Sequence, residues 1–332
     1  AGRQGRGMLD RARSSVARFL GAHPDEIVFT ASGSESNNLA MRGLVRDLSR
    51  RRLSVLSTPI EHPSASNLLK VLANSGMQVA YLPVDRKGEV DSSLITRDTL
   101  KGVGLVSVMY ANNEVGTIQP IRSIGVRIAH ARASGRAPLF HVDACQATAY
   151  LPMNVHQLGV DLMSLNGSKI GGPRGIGVLY VRRGVHLDPL IYGGDQEQGL
   201  RAGTENLPAI WGLAQAIEDI DTREGARLSE LRDLFFEKIS VSMSDVRING
   251  SLGKDRLPNN IHISVPDLES EAILLELDNY GIRAGSGSAC TSRSVEPSHV
   301  LKAMKVPRRY LSGAIRFSMG HQTKREDIEY LV

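Results

Sequence analysis

Two runs of the chain carry its architecture: PLFHVDACQ at residues 138–146 and DLMSLNGSKIGGPRGIGVLYV at residues 161–181. In each, a strand-length stretch (139–142 and 162–165) gives way to polar residues. That is the pattern of a strand buried on both faces of an α/β sheet. Ligands of such sheets bind beyond the carboxyl ends of the strands. The first strand therefore delivers Asp143 and Gln146 to the rim, and the second delivers Lys169. Gly171, Gly172, Gly175 and Gly177 follow at once, where backbone can approach a neighbour closely. A lysine beside an acid from the next strand suits pyridoxal phosphate (PLP). The amine forms a Schiff base, and the carboxylate keeps the pyridine nitrogen protonated. On these residues alone, Lys169 also fits a solvated loop lysine and Asp143 a helix cap.

Outward from this centre, strands and single helices alternate. Apolar residues at Met8, Leu9, Ala12, Val16, Phe19 and Leu20 have helical spacing, with Gly21 as a stop. IVFT at 27–30 reads as a strand, and SGSESNNLAMRGLV at 32–45 as a glycine turn opening a helix, with its N-cap at Ser34 or one residue either side. Strands at 54–57, 79–84, 105–110 and 139–143 and helices at 64–74 and 121–133 continue the series. The pattern predicts an α/β fold: a mostly parallel sheet with helices on both faces. After Pro208 it changes to helices at 209–220 and 223–239, short strands near 246–248 and 261–265, and a helix at 270–280. AIRFSMG at 314–320 reads as a last strand and 324–331 as a last helix. This predicts a large domain over 1–210 and a small α+β domain over 211–332 that carries the second cysteine.

Composition narrows the function classes. The chain has 332 residues, 41% hydrophobic and 23% charged, the balance of a soluble globular protein. Its two cysteines, Cys145 and Cys290, cannot build a disulfide framework, which points to a reducing compartment such as the cytoplasm. Net charge is only +5. Residues 1–60 hold ten Lys or Arg against five Asp or Glu, but no aromatic interleaving or nucleic-acid module accompanies them. No apolar run approaches the roughly 20 residues of a membrane span, and the start, AGRQGRGMLDRARSS, lacks the apolar core of a secretory signal. The nine histidines are scattered without HExxH spacing, so no metal site is expected, and GxSxG is absent.

Four further features can carry chemistry. Ser32-Gly33-Ser34 offers backbone N–H groups and hydroxyls at a helix start, either a phosphate cradle or an ordinary capped turn. Glu61-His62 follows the second strand, where a histidine either bonds locally or lays its imidazole over a cofactor ring and moves protons. Cys290 lies in RAGSGSACTSRS at 283–294, small flexible residues in which a thiol can meet a ligand. Arg316, in AIRFS, fits either a bidentate grip on a substrate carboxylate or an interdomain salt bridge.

Taken in order, several motifs resemble the cysteine desulfurases, NifS/IscS-like members of the fold-type I, class V aminotransferase-like PLP enzymes. They are EIVFTASGSESNNLA at 26–40, Glu61-His62, LVSVMYANNEVGTIQPI at 105–121 and FHVDACQ at 140–146. DLMSLNGSKIGGPRGIGVLYVRR at 161–183, GGDQEQGLRAGTEN at 193–206, SGSACTS at 286–292 and IRFSMG at 315–320 complete the set. The resemblance implies that Lys169 holds the cofactor, Asp143 faces the pyridine nitrogen, Gln146 bonds the phenolic oxygen and His62 stacks on the ring. It places Gly33, Ser34, Asn166 and Ser168 on the phosphate side, with Thr204 reaching that site from the other subunit of a homodimer. Asn113 would lie near substrate and phenolate, Arg316 would hold the carboxylate of L-cysteine, and Cys290 would be the nucleophile.

The product implied is L-alanine, with sulfur passed as a persulfide to an acceptor protein such as an iron–sulfur scaffold or a thiolation enzyme. No nucleic acid or membrane partner is implied. Two departures stand out. Asn166-Gly167-Ser168-Lys169 has a serine where the family has histidine before the lysine. The chain also opens at the AGR that closes the family's first active-site loop, so the usual N-terminal segment is expected to be missing. A selenocysteine lyase shares this scaffold, and an inactive truncated paralogue acting as a dimeric interaction module would share the fold. A PLP aminotransferase would leave Cys290 without a purpose.

Overall fold

The computed structural model describes residues 2–133, 138–286 and 297–332. It comprises two compact units, one of residues 1–82, 92–110 and 120–220, the other of residues 83–91, 111–119 and 221–332.

The first unit is built on a seven-stranded sheet of β1 (Ile27–Thr30), β2 (Ser54–Ser57), β3 (Val79–Tyr81), β4 (Val103–Met109), β5 (Leu139–Asp143), β6 (Leu162–Asn166) and β7 (Gly177–Val181). Their order is β1-β7-β6-β5-β4-β2-β3. From β3 to β6 every pairing is parallel, while β7 runs antiparallel to both β6 and β1. The reversal has a simple cause. Between β6 and β7 lies only the short turn Gly167–Lys169 and loop, no crossover helix, so the chain doubles back beside the strand it has just left.

Helices Gly33–Arg42, Pro63–Asn74 and Ile121–Ala133 connect the strands, and helix Gly2–Leu20 packs on Leu207–Glu218. Leu39, Leu44, Leu69, Leu105, Leu162 and Leu179 bury together in one core cluster. The near-continuous apolar runs of β4, β5 and β7 follow from cover on both sheet faces.

Several local boundaries differ from the sequence reading. Ser32, not Ser34, caps helix Gly33–Arg42, accepting the Glu35 N–H at 3.1 Å. The first helix begins at Gly2 rather than near Met8, since its opening turn is polar and carries no periodic signal. The strand expected to reach residue 84 ends at Tyr81.

The second unit holds an antiparallel sheet of β8 (Arg247–Ile248), β9 (Asn260–Ser264), β10 (Gly285–Ser286) and β11 (Ala314–Ser318), ordered β10-β11-β9-β8. Helix Glu224–Ser242 buries Leu228, Phe235 and Ile239, and the Phe235 ring lies 5.8 Å from that of Phe317 on β11. The excursion 111–119 is tied in by Asn260, whose Nδ2 donates to the Glu114 carbonyl at 2.9 Å. Cys290 lies outside the described residues.

Candidate active site

β5 and β6 are parallel neighbours, so their carboxyl ends emerge side by side, with Asp143 opposite Ser164 in register. Asp143 is buried and acts as a double acceptor. Oδ1 takes the Cys145 N–H at 3.0 Å, and Oδ2 takes the Asn37 side-chain amide at 2.6 Å. Its carbonyl accepts the Tyr110 N–H at 2.8 Å, which fixes the strand end itself. One residue past the end of β6 begins the turn Gly167–Lys169, capped by Asn166, whose Oδ1 accepts from the Ser168 N–H and hydroxyl, both at 3.2 Å. Only glycine fits at 167: a Cβ there would sit 2.7 Å from Ile176 Cγ2. The turn leaves Lys169 exposed just past the end of β6, the strand paired with the one that carries the acid.

Cys145 records both charges. Burial, then the negative charge of Asp143, pushes its thiol well above the ordinary range, opposed by a weaker pull from the Lys169 ammonium. A thiol so held remains protonated and is a poor nucleophile. On its other side is Gly33, where a Cβ would meet the Cys145 sulfur at 2.4 Å and Asn166 Cβ at 3.3 Å. The N-terminus of helix Gly33–Arg42 thus lies against the strand ends. Gly33 is buried and Ser34 exposed in its first turn, where backbone N–H groups have no intrahelical acceptor.

His62 is half-buried and caps helix Pro63–Asn74 with its own side chain. Nδ1 accepts the Ser64 N–H at 3.1 Å and lies 2.8 Å from the Ser64 hydroxyl. Asn37 joins this group to the acid, because its Nδ2 also donates to Ser64 Oγ at 2.8 Å. Glu61 is fully buried, accepting from Thr58 Oγ1 at 2.6 Å and the Met109 N–H at 3.0 Å. Burial, opposed by those bonds, pushes its carboxyl up to about 8. His141, two residues before Asp143, is bonded at both ring nitrogens to Ser107 and Ser164, and burial lowers it to about 4, so it is neutral.

Gln146 is half-buried just past Asp143. Thr204 is exposed in the segment whose Arg201 pairs with Glu35 of helix Gly33–Arg42 at 3.1 Å. In the second unit Arg316 Nη1 donates to the Asn113 carbonyl at 2.8 Å, so the two residues expected on the substrate side touch. The sequence reading did not single out Asn37 or Ser64. A signal was present for Asn37, which lies one helical turn after Gly33 and so shares its face.

Residues 2–331 match the family described as aminotransferase class-V. The chain belongs to that family. Among its relatives, one of Dictyoglomus turgidum named cysteine desulfurase IscS is 43% identical over 99% of this chain and 83% of its own length. A cysteine desulfurase of a Nostoc species is 44% identical over 97% of this chain and 79% of its own length. A solved structure titled as a NifS-like protein superposes with a TM-score of 0.90 at 34% identity, covering 99% of this chain and 86% of that one. The fold is accordingly the α/β fold of fold-type I PLP enzymes.

The class-V site found here fits that cofactor. Asp143 presents a carboxylate with both oxygens already oriented by donors, Lys169 offers an accessible amine, and Gly33 keeps a helix N-terminus clear of any Cβ. Among the described residues, no cluster of three or more His, Cys, Asp or Glu side chains is placed to hold a metal ion.

Proposed function

We infer that this chain is a PLP-dependent cysteine desulfurase, converting L-cysteine to L-alanine and passing the sulfur to an acceptor protein. The observation that carries the reading is the pair of adjacent strand ends, Asp143 on β5 with one donor orienting each carboxylate oxygen and Lys169 on the capped turn after β6. When bound, PLP supplies an electron sink that lets a bond at the substrate Cα break.

The chain's own residues supply the rest. Lys169 holds the cofactor covalently, and Asp143 holds a proton at the pyridine nitrogen. Gly33, Ser34, Asn166 and Ser168 bind the phosphate side, with Thr204 of a second copy completing it. Gln146 bonds the phenolic oxygen, and His62 covers the ring and handles a proton. Arg316, with Asn113 beside it, orients the substrate carboxylate.

Cys290 attacks the substrate sulfur. An S–S bond forms and the C–S bond breaks, so L-cysteine and the Cys290 thiol become L-alanine and a Cys290 persulfide. Burial, then the charge of Asp143, keeps the Cys145 thiol protonated, so Cys290 rather than Cys145 is the nucleophile in this reading. We read the protein as a cytoplasmic homodimer; no described helix is long and apolar enough to cross a membrane. Borohydride reduction of the PLP-loaded protein, followed by peptide mapping, tests the cofactor assignment. The pyridoxyl group is expected on Lys169, and a label on another lysine overturns it.

A further inference from the structure

His62 caps helix Pro63–Asn74 and Asp143 ends β5, yet one chain of hydrogen bonds joins them. Asn37, 1% exposed, uses both hydrogens of its amide nitrogen: one reaches Asp143 Oδ2 at 2.6 Å and the other Ser64 Oγ at 2.8 Å. The amide has one sensible orientation. Turned over, its oxygen would face the Asp143 carboxylate at the same separation. Ser64 Oγ accepts from Asn37, so its single hydrogen points onward to His62 Nδ1 at 2.8 Å. The Ser64 backbone N–H points at the same ring nitrogen at 3.1 Å. With two donors aimed at it, Nδ1 must be the acceptor nitrogen, and a neutral His62 carries its hydrogen on Nε2. The opposite tautomer would set an N–H against the backbone N–H and leave the serine hydrogen without its acceptor.

We propose that Asn37 and Ser64 are positioning residues that fix His62 in the Nε2–H tautomer and tie it to the Asp143 carboxylate. His62 then presents a proton donor at Nε2, and it takes a proton there only after giving up its Nδ1 bonds. Asn37 couples the two sides, since the amide that orients Asp143 Oδ2 also orients the hydroxyl that holds His62. The catalytic meaning of this coupling rests on the PLP reading above. The tautomer itself does not, so the two can fail separately.

The test is a ¹⁵N spectrum of the full chain, loaded with PLP and carrying labelled histidine, with the His62 signals assigned by their loss in His62→Asn. Wild type should show an acceptor-type Nδ1 and a protonated Nε2. Ser64→Ala removes one of the two donors and should raise the share of the Nδ1–H form about five-fold, the factor one ordinary hydrogen bond is worth. Ser64→Thr keeps the hydroxyl and should restore the wild-type ratio. Asn37→Ala should shift the ratio in the same direction as Ser64→Ala and weaken PLP binding several-fold. A purely structural role would lower the melting temperature of these variants without moving the tautomer ratio. A wild-type His62 protonated at Nδ1, or a Ser64→Ala ratio equal to wild type, overturns the proposal. Absence of a pyridoxyl label on Lys169 would instead overturn the cofactor reading and leave the tautomer result intact.

Discussion

An alanine at position 33 presses on the tightest contact in the site. Its Cβ would sit 2.4 Å from Cys145 Sγ and 3.3 Å from Asn166 Cβ, with Asn166 Nδ2 at 3.7 Å. Ordinary nonbonded contacts lie near 3.5–4.0 Å, so the sulfur must withdraw by roughly 1 Å. Cys145 has one rotatable side-chain bond, and its backbone N–H is held by Asp143 at 3.0 Å, so relief comes partly from the strand end that carries the acid. Overpacking of this kind costs about 1–3 kcal/mol, more than the gain of about 1 kcal/mol at most from alanine over glycine in a helix.

Cys145→Ala alone removes an atom of methylene size and should cost roughly 1 kcal/mol. In the double variant the 2.4 Å contact no longer exists, leaving the milder one with Asn166. Gly33→Ala and Cys145→Ala should therefore be coupled by about 1–3 kcal/mol in the favourable direction, with PLP affinity following stability. Urea denaturation of the four proteins and PLP titration of each measure it. Additivity within about 0.5 kcal/mol would refute the packing argument.

Arg13→Met should destabilise by about 3–5 kcal/mol, because it strands the Glu197 carboxylate, only 2% exposed, that Arg13 clasps at 2.6 and 2.8 Å; a loss under about 1 kcal/mol in urea denaturation contradicts this. Glu61, held up to about 8 in the fold against 4.5 unfolded, keeps its proton while the unfolded chain loses one. Its contribution is therefore whole below pH 4.5 and drains away as pH rises to 8, roughly a few kcal/mol in all. Glu61→Gln, which keeps the acceptor for Thr58 and Met109, should flatten that slope in a pH series of melts, and an unchanged slope removes the assignment. If Thr204 serves a second copy's phosphate site, PLP affinity should rise with protein concentration as dimers form in the ultracentrifuge. A monomer holding PLP equally tightly would end the shared-site reading.

Much of this site was legible because the rim of an α/β sheet is written in strand ends. FHVD and LMSLN change from apolar to polar where each strand stops, which is enough to bring the ends of β5 and β6 to one rim. Gly33 was legible for a related reason, as a helix start that lacks a side chain. Ser64 was not, and Asn37 was marked only by its spacing of one helical turn from Gly33, because polar residues in a helix's first turns usually face water. The cap at Ser32 was missed because three residues in a row, Ser32-Gly33-Ser34, satisfy the same local rule. Nor does any shift of composition mark 83–91 and 111–119 as parts of the second unit; long-range bonds such as Asn260 to the Glu114 carbonyl place 111–119 there.

On the proposed mechanism, PLP chemistry at Lys169 delivers the sulfur of L-cysteine to Cys290. A single turnover with one equivalent of L-cysteine, without reductant or acceptor, tests it directly by mass spectrometry of the digested protein alongside alanine quantitation. The peptide containing Cys290 should gain the mass of one sulfur atom in step with one alanine released, while the Cys145 peptide is unchanged. Alanine released with Cys290 unmodified, or sulfur found on Cys145 instead, would contradict it.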